Sequence, residues 1–232
     1  MRLDRYLTAS RIGSRSEVKN MIRKGLVSVN DTVCTDPSLN VDNGDDVSAD
    51  GRKVIYREHV YYMLNKPAGY LSATEDDSDR TVLDLFPDDL RKGLFPVGRL
   101  DKDSVGLLVI TDDGPLAHRL MSPKSHVDKR YLIRTDAPMT NEDSRAFSEG
   151  IVLRDGTEFR SASLVISDDD PTEAIVTISE GKYHQVKRMT ESCGKKVTYL
   201  KRLSVGELNL DPDLREGMYR ELTEDEIAIL SK

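Results

Sequence analysis

The segment Gly98–Gly114 has the residue types and spacing of a catalytic loop. It begins with Gly-Arg-Leu-Asp and continues into Leu107–Ile110, an apolar run that predicts a buried strand. Catalytic groups usually lie on loops that rigid strands hold in place. Asp101 in such a loop can serve as a nucleophile, with Arg99 beside it to balance the charge. From this segment alone, Asp101 can equally be a turn residue whose carboxylate bonds to nearby backbone.

Three further motifs occur along the chain. Asn65–Gly69 reads Asn-Lys-Pro-Ala-Gly, residues 129–131 read Lys-Arg-Tyr, and Gly181–Met189 reads Gly-Lys-Tyr-His-Gln-Val-Lys-Arg-Met. In order and spacing, the four motifs closely resemble those of bacterial ribosomal RNA pseudouridine synthases of the RsuA-like group. Residues 1–58 resemble the small RNA-binding domain that these enzymes carry at their amino-terminal end. The resemblance therefore covers nearly the whole chain.

The resemblance implies catalytic roles for three residues. Asp101 matches the family's essential aspartate, Tyr131 its active-site tyrosine, and Lys187 the position of an active-site arginine or lysine. Conversion of uridine to pseudouridine breaks the bond between the uracil nitrogen and ribose, turns the base, and rejoins it through carbon 5. Asp101 would attack either the anomeric carbon or carbon 6 of uracil, and both routes remain open.

The implied roles of Lys187 and Tyr131 support this chemistry. Lys187 would keep Asp101 ionised, because a nearby cation favours the charged form of a carboxylate. Many relatives read Arg-Arg-Met where residues 187–189 read Lys-Arg-Met, so a point charge replaces a planar fork. Tyr131 would stack on the uracil and help to remove the proton from carbon 5. Without the resemblance, Tyr131 is as readily interpreted as a core residue of a strand.

Basic residues concentrate in two stretches, although the net charge of the chain is −7. Residues 1–30 hold seven Lys and Arg against two acidic residues, and residues 179–202 also hold seven against two. Such stretches are typical of surfaces that follow a phosphate backbone, although any single run can be a solvated face. We predict RNA contacts from Arg2, Arg5, Arg15, Lys19, Arg23, Lys24, Lys66, Arg99, Lys182, His184, Gln185 and Arg188.

The elements that position these residues follow from periodicity and turn signals. In residues 1–58, Ser14 and Glu17 spell a capping box and Gly25 predicts the end of the helix that follows. A turn of helix at residues 3–9 is expected to pack on it. Short strands are predicted at residues 26–29, 32–34 and 47–55, with Asn30-Asp31 and Asp50-Gly51 as turn pairs. This domain is expected to be a helix pair on a short sheet.

A larger domain is expected over residues 59–232. Strands are predicted at residues 60–64, 95–98, 107–110, 131–133, 163–166 and 174–178, with helices at 115–121, 141–149, 183–192 and 223–230. Asn65–Gly69 is expected to be a loop because of its Pro and Gly. Short strands with inserted helices indicate an α+β fold class with a mixed or antiparallel sheet.

Composition excludes several classes of protein. The 232 residues, 38% of them hydrophobic and 32% charged, are enough for one large or two modest packed domains. No apolar run approaches the roughly 20 residues that span a bilayer, and two cysteines and four scattered histidines suggest neither disulfides nor a metal site. We expect a cytoplasmic monomer that binds no membrane, no metal and no cofactor.

The leading hypothesis is an enzyme that modifies 16S ribosomal RNA of the small subunit, within an assembly intermediate. The spellings of Met63–Pro67, Gly181–Met189 and Met218–Thr223 are closer to the small-subunit branch than to a sister enzyme acting on 23S ribosomal RNA. A non-catalytic RNA-binding assembly factor would need only the basic surfaces, not the set Asp101, Tyr131 and Lys187. A hydrolase or deaminase would need a nucleophile–base arrangement or zinc ligands, which the sequence lacks.

Overall fold

The computed structural model describes residues 1–10, 12–42, 44–54, 56, 58–122 and 125–231. The chain folds into two compact units, Met1–Val60 and Tyr61–Lys232. Within the described residues, no helix is both long and apolar enough to cross a membrane.

The first unit is a helix pair on an antiparallel sheet. Its elements are α1 (Leu3–Ala9), α2 (Arg15–Arg23), β1 (Val27–Val29), β2 (Thr32–Val33), β3 (Val47–Ala49) and β4 (Arg52–Lys53), with strand order β2-β1-β3-β4. Ser14 and Glu17 form the predicted capping box at the start of α2. Asn30 and Asp31 both have positive φ, as the tight turn between β1 and β2 requires. Ile55, predicted as the last strand residue, lies outside the described residues.

The second unit is built on a mixed sheet. Its strands are β5 (Tyr61–Lys66), β6 (Phe95–Pro96), β7 (Val105–Thr111), β8 (Lys129–Thr135), β9 (Ile151–Val152), β10 (Glu158–Phe159), β11 (Ser163–Ile166), β12 (Glu173–Ile178), β13 (Val197–Val205), β14 (Leu208–Asn209) and β15 (Tyr219–Glu221). The main order is β11-β12-β8-β13-β7-β5-β15; β6 pairs with β7, β14 with β13, and β9 with β10 apart from the sheet. The pair β13 and β7 is parallel. The predicted α+β class is confirmed.

Helices cover this sheet and close two apolar cores. They are α3 (Gly114–Met121), α4 (Asn141–Glu149), α5 (Gln185–Ser192) and α6 (Glu224–Ser231), with a short 3₁₀ helix at Val82–Leu85. Phe147 of α4 and Met189 of α5 are fully buried in one core together with Ile133 of β8. Leu120 of α3 and Leu230 of α6 belong to the other. The first of these cores lies under the candidate site.

Three sequence expectations about elements are wrong. β13 was not predicted, because its buried polar and charged residues hide the alternation that marks a strand. Asn65 and Lys66 do not begin a loop: they extend β5 and pair with β7, so the loop starts at Pro67, which has no backbone N–H. The helix predicted from residue 183 begins at Gln185, because His184 has a left-handed backbone with φ of 48°.

Candidate active site

Asp101 lies in the loop that joins β6 to β7. These strands pair antiparallel, and the N–H of Val97 bonds to the carbonyl of Val109 at 2.8 Å. Ser72 anchors the loop, because its Oγ lies 2.9 Å from the carbonyl oxygen and 3.0 Å from the backbone nitrogen of Leu100. Leu100 is itself buried in the core. Asp101 thus follows a fixed residue, while its own side chain remains 28% exposed.

A buried amine holds the loop from below. Lys66, the last residue of β5, has no exposed surface, and four carbonyl oxygens lie within 3.4 Å of its Nζ. The nearest oxygen belongs to Ser104, at 2.7 Å, and those of Pro67 and Asp101 follow at 3.1 Å. Burial lowers the pKa of Lys66 to about 8, against the attraction of Asp103 and Asp101. The loop encloses the side chain of Lys66, so this predicted RNA contact lies at a buried position.

Both carboxylate oxygens of Asp101 have a partner. Nζ of Lys187 lies 2.9 Å from Oδ2, and Nε2 of His184 lies 3.3 Å from Oδ1. Lys187 also bonds to Oδ1 of Asp103 at 2.6 Å. Burial favours the neutral amine of Lys187, but hydrogen bonds to Asp103 and Asp101 outweigh burial and raise its pKa. The structure therefore brings Asp101 and Lys187 together and adds His184 and Asp103 to the site.

Arg99 does not balance the charge of Asp101. Its side chain is exposed, and among the described residues Asp101 pairs with Lys187 and His184 instead. Arg99 lies two residues before Asp101 in the loop, whereas Lys187 is on α5 and His184 comes just before that helix, far along the chain. The expected partner was therefore the sequence neighbour, and the observed partners are neighbours only in the fold.

A row of residues crosses four strands beneath the loop. Lys66 of β5 lies opposite Gly106 of β7, and Gly106 lies opposite Arg202 of β13. Arg202 in turn lies opposite Tyr131 of β8. Side chains directly opposite in neighbouring strands point to the same face of a sheet. Since Lys66 bonds to the carbonyl of Asp101, this is the face that carries the loop, and Tyr131 lies on it.

Gly106 is required at the centre of this row. A Cβ there would lie 2.3 Å from the carbonyl oxygen and 2.7 Å from the nitrogen of Arg202, and the backbone has φ of +102°. Both the close approach of the parallel strands and the positive φ exclude other side chains.

Tyr131 is a buried residue of the core under the site. It is 8% exposed and belongs to the same apolar cluster as Leu100 and Val186. Leu100 precedes Asp101 in the chain, and Val186 precedes Lys187. The three predicted catalytic residues are therefore brought together by one core.

Two further cations are buried here: Arg202 in this row, and Lys129 on the same strand as Tyr131. Neither is among the site residues predicted from the sequence. Arg202 is 3% exposed; its Nε donates to the carbonyl of Leu107 at 2.7 Å, and its Nη2 has no partner in the part of the chain that the structure describes. Lys129 is 7% exposed, and burial followed by the charge of Arg202 lowers its pKa. Lys129 begins the Lys-Arg-Tyr motif and Arg202 ends the second basic stretch, so both were visible in the sequence.

The remaining predicted RNA contacts near α5 differ in how exposed their side chains are. Gln185 is 4% exposed; its Nε2 donates to Glu180 at 2.9 Å and its Oε1 accepts from the backbone of Lys182 at 3.1 Å. The predicted RNA contact of Gln185 therefore lies at a buried position, with both ends of its amide hydrogen-bonded within the chain. Lys182 is exposed, whereas Arg188 is half-buried, pairs with Asp155 and lies over the ring of Phe159.

The predicted contacts of the first unit lie mainly at its surface. Arg5, Arg15, Arg23 and Lys24 are exposed, and Lys19 is half-buried on α2. Arg2 is exposed and forms a salt bridge with Asp4 at 2.9 Å. The sequence stretch of residues 1–30 thus forms a positively charged surface of this unit.

Comparisons with known proteins agree with both units. The model of the RNA pseudouridylate synthase family matches residues 60–192, and the S4 domain model matches residues 1–47. The chain is 45% identical to the "uncharacterized RNA pseudouridine synthase YtzG" of Bacillus subtilis, over 100% of this chain and 99% of that protein. It is 37% identical to the "ribosomal small subunit pseudouridine synthase A" of Escherichia coli K12, over 98% of this chain and 99% of that protein.

A solved structure shares the fold over the same length. The crystal structure of a pseudouridylate synthase superposes with a TM-score of 0.71 at 37% identity, covering 99% of each chain. The sequence similarity extends over both units and includes the loop of Asp101. The chain therefore belongs to the RNA pseudouridine synthase family and is an isomerase with an S4 domain at its amino-terminal end.

Proposed function

We propose that this enzyme converts a uridine of 16S ribosomal RNA to pseudouridine, with Asp101 as its nucleophile. The observation that carries the proposal is the fixed position of the Asp101 carboxylate. Lys187 and His184 each contact one of its oxygens, while Ser72 and Lys66 bond to the backbone of its loop. A carboxylate that is partly exposed yet rigidly placed suits a nucleophile that must reach one atom of a bound nucleotide.

The residues divide the chemical work. Asp101 attacks the anomeric carbon or carbon 6, and either bond holds one part of the substrate while the glycosidic bond breaks. The freed uracil turns and its carbon 5 bonds to the anomeric carbon, a step that in the first route displaces the Asp101 carboxylate. Carbon 5 then loses its proton, and in the second route the bond from carbon 6 to Asp101 breaks, which releases the carboxylate. Lys187 favours the ionised carboxylate before attack and after product release. Tyr131, on the same sheet face, stacks on the base and assists the proton transfer from carbon 5.

The choice of substrate rests on two supports. Relatives at 37–39% identity over nearly the whole chain carry the name ribosomal small subunit pseudouridine synthase A. The S4 match and the exposed cations of α2 supply a surface that attracts phosphates. In this proposal residues 1–58 bind RNA, residues 59–232 carry the chemistry, and a monomer acts in the cytoplasm on an assembly intermediate of the small subunit.

The proposal is tested by mapping the product. The gene is deleted in its host, and pseudouridines in both ribosomal RNAs are mapped by carbodiimide-stop sequencing. One 16S position should lose its stop and regain it when the wild-type gene is returned. A lost stop in 23S ribosomal RNA would identify a sister activity and refute the 16S assignment.

The role of Asp101 is tested by the isosteric variant Asp101→Asn. It should form no detectable pseudouridine in the same RNA, because the amide is not a nucleophile, while RNA affinity and the melting temperature stay near wild type. The control is Asp112→Asn, outside the site. Turnover by Asp101→Asn near the wild-type rate would refute the nucleophile assignment.

A further inference from the structure

Tyr183 is the exposed aromatic ring of this protein. The chain has nine Tyr, four Phe and no Trp, all within the described residues, and twelve of the thirteen rings are buried or half-buried. Tyr183 alone is exposed, at 75%. Burial of an aromatic ring is favourable, so an exposed one beside a functional site indicates a contact with a partner.

The ring of Tyr183 stacks on the ring of His184, which contacts Asp101. The side chains of Tyr183 and His184 stack with centroids 3.8 Å apart and planes 18° apart. Nε2 of His184 lies 3.3 Å from Oδ1 of Asp101, and its backbone has the left-handed conformation that is uncommon for residues other than glycine. Two stacked rings therefore lead from the carboxylate of Asp101 to the surface.

The charges around Tyr183 suit a nucleic acid. Lys182 is exposed next to it in the chain, and Lys187 and Arg188 follow on the first turns of α5. The nearest acidic side chain in sequence, Glu180, is 8% exposed and accepts from the amide of Gln185. Lys187 and Arg188 are paired with Asp101, Asp103 and Asp155, and Lys182 lies 3.6 Å from Glu180 while staying exposed. An exposed aromatic face beside an exposed lysine is an arrangement that binds unpaired nucleotides, with a base on the ring and a phosphate on the cation.

We propose that Tyr183 stacks on an unpaired base that neighbours the target uridine. This inference rests on the proposed function, because the enzyme must take one base out of its stack to reach it. Removal of the target base uncovers the face of its neighbour, and the Tyr183 ring replaces the stacking contact that the neighbour loses. Tyr183 is thus a positioning residue: it sets which nucleotide reaches Asp101 and does not touch the reacting atoms.

The experiment measures binding without turnover. Each variant is made in the Asp101→Asn background, and its Kd is measured for a synthetic RNA that spans the mapped uridine. Tyr183→Ala should raise Kd about 5-fold to 150-fold, which is the range for loss of one stacked base. Tyr183→Phe keeps the ring face and should restore Kd to within about twofold. Val165→Ala, at an apolar residue on β11 that is 60% exposed, is the control and should leave Kd unchanged.

An abasic ribose identifies the partner base. Placed at the neighbour that Tyr183 contacts, it should weaken binding by the Asp101→Asn protein with Tyr183 intact but not further weaken binding by Tyr183→Ala. An abasic ribose at the other neighbour should weaken both equally. Independent effects at both neighbours, or an unchanged Kd for Tyr183→Ala, would overturn the inference.

A readout on full-length 16S transcript separates this inference from the proposed function. Binding of that transcript in the Asp101→Asn background needs no turnover. If the wild-type enzyme forms no pseudouridine there but Tyr183→Ala still weakens binding and Tyr183→Phe restores it, the stacking contact stands and the proposed substrate fails. If pseudouridine forms at equal rates with and without the Tyr183 ring, at subsaturating RNA, the stacking contact fails and the proposed function stands.

Discussion

The two basic stretches of the chain are alike in sequence and different in structure. Among the described cations of residues 1–30, all but half-buried Lys19 are exposed, Arg15 and Arg23 of α2 among them. In residues 179–202 several cations are paired or buried: Lys187 pairs with two carboxylates, Lys195 pairs with buried Asp143 at 2.7 Å, and Arg202 is buried. Equal counts of Lys and Arg therefore describe an electrostatic surface in one case and a set of internal supports in the other.

The difference has an energetic consequence. Exposed cations act through screened, additive attraction to phosphates, so each one contributes modestly and depends on salt. Removal of a buried cation is costly, because the groups that it bonds to lose hydrogen bonds that water does not replace. Substitutions in the first unit should therefore change RNA binding, and substitutions around the Asp101 loop should change stability or turnover.

The largest effect is expected from Lys66→Met. Methionine has a similar length but no donor, so the carbonyls that Lys66 binds lose their hydrogen bonds at a cost of about 3 kcal/mol or more. The melting temperature should fall by roughly 6 °C or more. Turnover should fall as well, because the loop of Asp101 loses its support. Calorimetry and tritium release from carbon 5 measure the two effects; an unchanged melting temperature would contradict the structural role.

The second prediction concerns turnover alone. Lys187→Met should lose most activity through kcat, with little change in melting temperature, since Lys187 is partly exposed and lies at the site. The loss of activity follows from the missing ion pair with Oδ2 of Asp101, which Nζ of Lys187 approaches to 2.9 Å. Lys187→Arg should retain part of the activity. Equal loss in the Met and Arg variants would show that geometry, not charge, is what Lys187 provides.

Lys66 also predicts a pH effect on stability. Its pKa is about 8 in the folded protein and 10.5 in the reference state, so between these values the unfolded chain binds more protons. The contribution of Lys66 to the free energy of unfolding therefore rises with pH from about 8 to about 10.5. The difference in stability between wild type and Lys66→Met, followed by urea denaturation, should increase across this window. Parallel curves would show that Lys66 does not titrate there.

The smallest effect per residue is expected in the first unit. The triple variant Arg15→Glu, Lys19→Glu and Arg23→Glu should weaken RNA binding and reduce the slope of log affinity against log salt by about 2, at roughly 0.7 to 0.9 per phosphate contact. Stability and kcat at saturating RNA should stay near wild type. Arg145→Glu on α4 is the control for a single surface charge reversal. An unchanged slope in the triple variant would mean that α2 does not contact the RNA.

Local signals predicted much of the fold. The capping box at Ser14, the turn at Asn30 and Asp31, and the helix at Asn141–Glu149 are each encoded by adjacent residues, and all three are present. β13 was missed because its pattern makes sense only with strands on both sides, where Arg202 can be buried against Gly106 and Leu107. Parallel pairing of β13 with β7 joins residues about a hundred positions apart, which no local pattern specifies.

The sequence by itself determined the fold class, the four motifs and the pairing of roles that the family resemblance implies for Asp101 and Lys187. Which polar residues are exposed and which support the loop depends on the tertiary structure. Lys66 and Gln185 have the chemistry of surface residues, but the loop of Asp101 encloses Lys66 with carbonyl oxygens, and Glu180, before α5, accepts a hydrogen bond from Gln185. Whether a side chain is buried depends on which other segments pack against it. The charge and periodicity of one segment do not specify those neighbours.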